Sequence, residues 1–197
     1  VNHWYPWATP LVLASVSPRR LNLLEGIGVP VIVRPSGVEE DGFHGSPGEV
    51  VEGWAQKKAS AVAPEFPHNP VLGADTMVFL DGEPMGKPGD SREAMEMLGA
   101  LSGRRHSVFG GVCILLGEGR RLFHRETRVL FRELSPMEIR AYVESGEPMD
   151  KAGAYGAQGM GGLFVREIRG CWFNVVGLPL PDVMTELRSL ALECGLR

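Results

Sequence analysis

Short apolar runs and stripes at helical spacing take turns along the chain. Leu11–Ser15 is a run of strand length, Pro18–Ile27 sets Leu21, Leu24 and Ile27 on one side of a helix, and Pro30–Val33 is a second run. Ser46-Pro-Gly-Glu then opens a helix with a capping serine, a first-turn proline and an acidic residue three positions on; the helix runs to about Ala63. Val71–Leu80 reads as a strand that Asp81-Gly82 turns back as a hairpin. A helix over Ser91–Leu101 has Ala94, Leu98 and Leu101 on its core face. Two long strands, Ser107–Leu116 and Leu122–Phe131, join at Gly117-Glu-Gly119. Ser135-Pro-Met-Glu repeats the helix-start pattern ahead of Ile139, Tyr142 and Val143. Residues 146–162 are a glycine-rich loop, Leu163–Ile168 a strand and Trp172–Val176 a further short strand; Val183, Leu187, Leu190 and Ala191 stripe a C-terminal helix. The alternation predicts an α/β fold with a mixed sheet. Without repeats or linkers, residues 1–10 are expected to be a lead-in packed by its aromatics, and 11–197 a single domain.

Composition narrows the function classes. With 197 residues and 44% hydrophobic content the chain can bury a substantial core, which argues against disorder. The apolar run Val71–Leu80 is too short to cross a bilayer and is interrupted by Asp75 and Thr76, so a soluble, cytoplasmic protein without membrane attachment is expected. Its three cysteines (Cys113, Cys171, Cys194) are far apart and include no Cys-x-x-Cys pair, so reduced, partly buried thiols are expected rather than disulfides or zinc. A net charge of −4 disfavours a general nucleic-acid binder. Any basic patch must be local, and convergence of the scattered cations Arg19, Arg20, Lys57, Lys58, Lys87, Arg104 and Arg105 would imply a small anionic ligand.

Several positions break the local pattern. Ser17 reads as a helix N-cap and Pro18 as the first helical residue, which puts Arg19 and Arg20 in the first turn. Positive charge there opposes the helix dipole, by roughly 0.3–1 kcal/mol per residue. A polyanion held by the free N–H groups, the hydroxyls of Ser15 and Ser17 and the two guanidinium groups removes the conflict; the alternative is an ordinary solvated helix start. Asp75 is the sole charge in an apolar strand, where an unpaired carboxylate would be costly. It is either a structural aspartate or one that holds a hard cation or takes a proton from water. Lys58 lies within the apolar stripe of Val51, Ala55, Ala59 and Val62, so its ammonium must reach a polar cleft or snorkel outward. Lys87 follows the hairpin that carries Asp75, which can return it toward the same end of the sheet; the alternative is a solvated lysine on an exposed turn. Its surroundings, Gly82-Glu-Pro-Met-Gly-Lys-Pro, have one residue too few between glycines and no Ser/Thr after the lysine for a Walker motif. In Asp150–Gly162 the small residues would let a ligand approach the backbone; Gln158 offers an amide suited to a base edge and Tyr155 a stacking face or hydroxyl. A mobile surface loop is the competing view.

In order along the chain, the motifs are Ser15-x-Ser-Pro-Arg-Arg20, Glu39-Glu40, Lys58-Ala59, Gly73-Ala-Asp-Thr76, Gly86-Lys-Pro88, Leu101-Ser-Gly-Arg104 with His106, Gly146-Glu-Pro-x-Asp-Lys-Ala-Gly-Ala-Tyr-Gly-x-Gln-Gly159 and Asn174-Val-Val-Gly-Leu-Pro-Leu180. Together they resemble the Maf family of nucleoside triphosphate pyrophosphatases from Leu11 onward, and the Asp150–Gly159 form resembles the branch acting on dTTP and UTP rather than on 7-methyl-GTP. The resemblance implies an elongated mixed sheet flanked by helices, two lobes around a deep cleft, and a homodimer. It also implies cleavage between the α and β phosphates with a divalent cation, Mg²⁺ or Mn²⁺. Arg19, Arg20, Lys58 and Lys87 would neutralise the triphosphate and Ser15 and Ser17 would add hydrogen bonds. Glu40 and Asp75 would hold the metal, with Asp75 the proton acceptor for attacking water, and Arg19, Thr76 and Gln158 would select the base. Of the adjacent pairs, Glu40 is chosen over Glu39 because the family's glutamate follows an acidic neighbour, and Lys58 over Lys57 by the Lys-Ala pairing and the helix stripe. Ala157 stands where the family usually has a branched residue. The normal or modified pyrimidine substrate stays open (5-methyl-UTP, 5-methyl-CTP and pseudouridine triphosphate are candidates). The alternatives are a purine-directed enzyme acting on ITP or 7-methyl-GTP, and a non-catalytic regulator of septation and cell division.

Overall fold

The computed structural model describes residues 5–39 and 45–195. In chain order the elements are β1 (Leu11–Leu13), α1 (Pro18–Glu25), β2 (Val31–Val33), α2 (Pro47–Val62), β3 (Val71–Leu80), β4 (Glu83–Met85), α3 (Ser91–Leu101), β5 (Arg105–Leu116), β6 (Gly119–Phe131), α4 (Pro136–Glu144), β7 (Val165–Arg169), α5 (Trp172–Val176) and α6 (Leu180–Glu193). Among the described residues the strands form one seven-stranded sheet, ordered β2-β1-β3-β5-β6-β7, with β4 paired to β3. β1 runs parallel to both β2 and β3, whereas β3–β4 and β6–β7 are antiparallel, so the sheet is mixed.

The chain divides into two compact units. The first takes the described residues within Val1–Asp75, Gly110–Arg125 and Gly177–Arg197, the second those within Thr76–Phe109 and Glu126–Val176. In the first, Val12, Ala14, Ala55, Ala59, Val62, Val71 and Cys113 form a core of mostly small side chains. Their size lets α2 lie very close to the sheet: a Cβ at Gly73 would overlap the Ala55 carbonyl oxygen and come 2.7 Å from Ala59 N, and one at Gly111 would overlap the Val51 carbonyl. In the second, larger residues pack together, including Leu98, Leu101, Val129, Phe131, Tyr142, Tyr155 and Phe164.

Helix starts follow the local grammar. Ser46 and Ser135 each form a capping box, with Glu49 and Glu138 respectively, and Asp90 caps α3 by accepting from Glu93 N–H. Tyr5 and Trp7 are buried, and the Tyr5 hydroxyl donates to Thr9 O. The cysteines are free, with Cys113 buried, Cys171 half-buried and Cys194 exposed.

Three expectations need correction. The stripe of α1 is Arg20, Leu23 and Leu24 rather than Leu21, Leu24 and Ile27, because the helix is rotated to carry Arg20 inward. Trp172–Val176 is a helix despite its β-forming composition. Asn174 there is fully buried and its amide donates to Val108 O (3.0 Å) and Thr127 Oγ1 (3.1 Å), while Cys171 N–H donates to Thr127 Oγ1, so tertiary hydrogen bonds override propensity. Finally, the strand expected over Leu163–Ile168 is Val165–Arg169: short 3₁₀ turns at Glu147–Asp150, Ala152–Ala154 and Met160–Phe164 punctuate the glycine-rich segment, and the last of them takes up Leu163 and Phe164.

Candidate functional site

The first unit gathers buried charge beside β1. Its strands β2, β1 and β3 are parallel, and β1 lies between the other two, so the chain leaves β1 in one direction and returns on its opposite side. The carboxyl end of such a strand is where open α/β sheets hold ligands. The pairing with β3 extends to Ala14, whose N–H donates to Leu72 O at 2.8 Å, and Ser15 follows at the level where β3 reaches Ala74 and Asp75.

Ser15 and Arg20 are both buried. Arg20 Nη1 donates to Ser15 Oγ (3.0 Å) and Arg20 Nε to Gly177 O (2.8 Å), so the guanidinium is braced from two directions. Ser17 occupies the N-cap of α1 but its side chain makes no capping bond there. Instead its N–H donates to Ser15 Oγ at 3.2 Å, which ties the turn to the same hydroxyl. No acidic residue lies in the first turn of α1, where Arg19 is half-exposed. The dipole conflict read from the sequence is therefore present in the fold, with a cation where an anion would be favoured.

Lys58 and Asp75 form the second cluster. α2 carries Lys58 inward and β3 presents Asp75, and Nζ donates to Oδ1 at 2.7 Å with both side chains less than a tenth exposed. This resolves the isolated strand carboxylate. Lys58 does not snorkel, and the close seating of α2 on Gly73 sets its reach.

Three further sequence candidates belong to the second unit. Thr76 follows Asp75 directly and is half-buried. β4 runs back along β3 with Met85 opposite Val78, and the exposed Lys87 comes two residues later in a segment held by the bond from Gly153 N–H to Gly86 O (3.0 Å). Gln158 is exposed, on the turn that Gly159 N–H closes onto Gly156 O. Tyr155 is not available as a stacking face. It is buried against Phe131 and His106, with its hydroxyl 2.9 Å from His106 Nε2. Burial holds the His106 imidazole down to about 4 and its Nδ1 has no hydrogen-bond partner, both consistent with a neutral ring.

The glycines of this segment also differ from expectation. The space a side chain would need at Gly156, Gly159 and Gly161 is taken by Lys151, by the Glu147 carboxylate and by the Tyr142 hydroxyl, not left open for a ligand. Sequence reasoning missed Glu147 and Gly177 as supporting groups. Both lie inside quoted motifs, yet a backbone carbonyl has no side-chain signature and a carboxylate in a loop reads as solvated.

Glu40 lies outside the described residues, and Glu39 is exposed. Among the described residues no three His, Cys, Asp or Glu side chains converge to hold a metal. The oxygen donor of Asp75 suits a hard cation of the kind that one or two carboxylates share with substrate phosphates. No helix among the described residues is long and apolar enough to cross a membrane.

A family model described as Maf-like protein matches residues 10–190. The chain belongs to the Maf family. Its relatives include a dTTP/UTP pyrophosphatase of Symbiobacterium thermophilum, 52% identical over 171 residues (86% of this chain, 88% of that one). A dTTP/UTP pyrophosphatase of Syntrophomonas wolfei is 49% identical over 87% of this chain and 92% of its own. A third, from Bacillus cereus, is 46% identical over 93% of this chain and 96% of its own. In this Maf-family chain the motif residues Ser15, Arg20, Lys58, Asp75 and Gly177 all fall in the first unit, within the two buried clusters.

Proposed function

We propose that the protein is a nucleoside triphosphate pyrophosphatase that hydrolyses dTTP and UTP to the monophosphate and pyrophosphate. The observation that carries this reading is two buried polar pairs within the first unit, Lys58 with Asp75 of β3 and Arg20 with Ser15, the latter just past the carboxyl end of the switch-point strand β1. The names of relatives at 46–52% identity support the substrate class.

In this reading Asp75 accepts the proton of the attacking water, and Lys58 keeps that carboxylate aimed. Arg19, Arg20, Lys58 and Lys87 offset the charge that builds on the phosphates, with Ser15 and Ser17 as hydrogen-bonding partners. Bracing of Arg20 by Gly177 and Ser15 means its guanidinium needs little reorganisation as charge develops. Asp75, together with Glu40, would hold Mg²⁺ or Mn²⁺, and the cation would neutralise phosphate oxygens. Arg19, Thr76 and Gln158 select the pyrimidine edge through its carbonyl oxygens and N3–H. The protein acts as a cytoplasmic homodimer, which sedimentation at micromolar concentration checks for the oligomer.

The test is turnover of dTTP, UTP, ITP and 7-methyl-GTP with Mg²⁺ or Mn²⁺, with products identified by ³¹P NMR. Pyrimidine preference with pyrophosphate released, and loss of turnover in Asp75→Asn, are expected. Arg20→Ala and Lys87→Ala should each slow turnover by more than about tenfold. Purine preference, or orthophosphate as the first product, overturns the reading; a septation phenotype that survives in Asp75→Asn would point to a separate regulatory role.

A further inference from the structure

The turn that displays Gln158 is held by one carboxylate. Glu147 Oε1 accepts from the Tyr142 hydroxyl (2.9 Å) and Gly161 N–H (3.2 Å), and Oε2 accepts from Met160 N–H (3.0 Å). The Tyr142 hydroxyl in turn accepts from Gly156 N–H at 3.0 Å. Glu147 therefore grips the chain on both sides of Gln158, upstream through Tyr142 and downstream directly. Between these grips, Gly159 N–H donates to Gly156 O (3.3 Å) and closes a four-residue turn with Gln158 in its third position, facing solvent. A Cβ at Gly159 would fall on the Glu147 carboxylate and one at Gly161 would come 2.7 Å from the Tyr142 oxygen, so the glycines serve this grip. Lys151 Nζ donates to the Glu147 backbone oxygen at 2.6 Å and fixes the base of the bracket.

The chemistry asks for a carboxylate. Three donors converge on its two oxygens, and an ionised acid has acceptors only. Burial pushes the Glu147 carboxyl up, but the Met160 and Gly161 N–H groups, the Tyr142 hydroxyl and the Lys151 charge together hold it below the usual range. A glutamine would have to turn its NH₂ toward one of those donors and lose that bond.

We propose that Glu147 is a positioning residue for base discrimination: it fixes the turn that presents Gln158, and touches no substrate itself. The proposal rests on the reading of Gln158 as a base-selecting residue. Its test is a double-mutant cycle on the full chain, with kcat and KM for UTP and ITP measured in the parent, Glu147→Gln, Gln158→Ala and the double variant. Glu147→Gln is expected to lower the preference for UTP over ITP by about tenfold, what one base-edge hydrogen bond supplies. The loss should appear mainly in KM, and the double variant should be no worse than Gln158→Ala alone. Amide exchange over residues 156–162 should quicken in Glu147→Gln while exchange in α3 and β6 is unchanged. Should Glu147→Gln fold poorly, Tyr142→Phe removes only the upstream grip and should erode the same preference by a smaller factor. Additive losses in the double variant, or unchanged preference in Glu147→Gln and Tyr142→Phe beside an effect of Gln158→Ala, overturn the proposal alone. No effect of Gln158→Ala overturns the base-reading role and this proposal together.

Discussion

Replacing Lys58 with methionine isolates what the buried ion pair contributes. Both side chains of the Lys58–Asp75 pair are less than a tenth exposed and their charged atoms lie 2.7 Å apart, so removal of the ammonium leaves a carboxylate in the core with its nearest counter-charge gone. Methionine matches the length of the lysine stem and has nearly the same helix propensity, so α2 itself is not weakened. Breaking such a pair from one side costs about 3 kcal/mol or somewhat more. Converting Asp75 to asparagine in the same chain removes the stranded charge, and the double variant Lys58→Met/Asp75→Asn should return to within about 1 kcal/mol of the parent. Urea unfolding followed by both tryptophan fluorescence and circular dichroism gives the numbers. A loss of about 3 kcal/mol lowers the midpoint by about 1 M or more at unchanged m-value. A Lys58→Met midpoint equal to that of the parent, or a double variant less stable than Lys58→Met, refutes the argument that the two charges compensate one another. Both variants should have lost turnover, so stability and activity separate in the double variant alone.

Two further outcomes follow from positions elsewhere in the fold. His106 is held neutral down to about pH 4, against about 6.5 in an unfolded chain. Between those values a falling pH protonates the unfolded state but not the folded one, so stability present above pH 6.5 declines toward pH 4, by at most about 3 kcal/mol, with no further loss from this group below that. His106→Gln should flatten that part of the stability curve, and an unaltered slope would show that other groups set it. Gly→Ala should act with opposite sign at two sites: at Gly73 the methyl overlaps the Ala55 carbonyl and should cost about 3 kcal/mol while shifting Lys58 off Asp75, whereas at Gly99, on an open helix face, it should stabilise by about 0.5 kcal/mol. Thermal unfolding of the two variants tests the pair, and a stable Gly73→Ala would refute the close seating of α2.

What was legible in the sequence was legible for local reasons. Ser46 and Ser135 announce their helices because a capping box is complete within four residues. Lys58 and Asp75 stood out as polar residues in apolar patterns, and burial requires such residues to find a partner. The failures come from distance along the chain. Arg20 turns its helix inward because Gly177, 157 residues away, supplies a carbonyl. Trp172–Val176 coils into α5 because Asn174 reaches Val108 and Thr127, which no window around it contains. Tyr155, within a glycine-rich segment, reads as a stacking face or hydroxyl for a ligand, yet His106 and Phe131 enclose it.

The bracket around Gln158 separates what maintains a shape from what that shape displays. Glu147, Tyr142 and the flanking glycines form a frame whose every hydrogen bond runs through backbone or through one another, and the displayed side chain takes part in none of them. A change confined to that one position therefore leaves the scaffold intact, which makes the tip an inexpensive place for altered nucleotide preference to arise, by natural drift or in a library varied at a single codon.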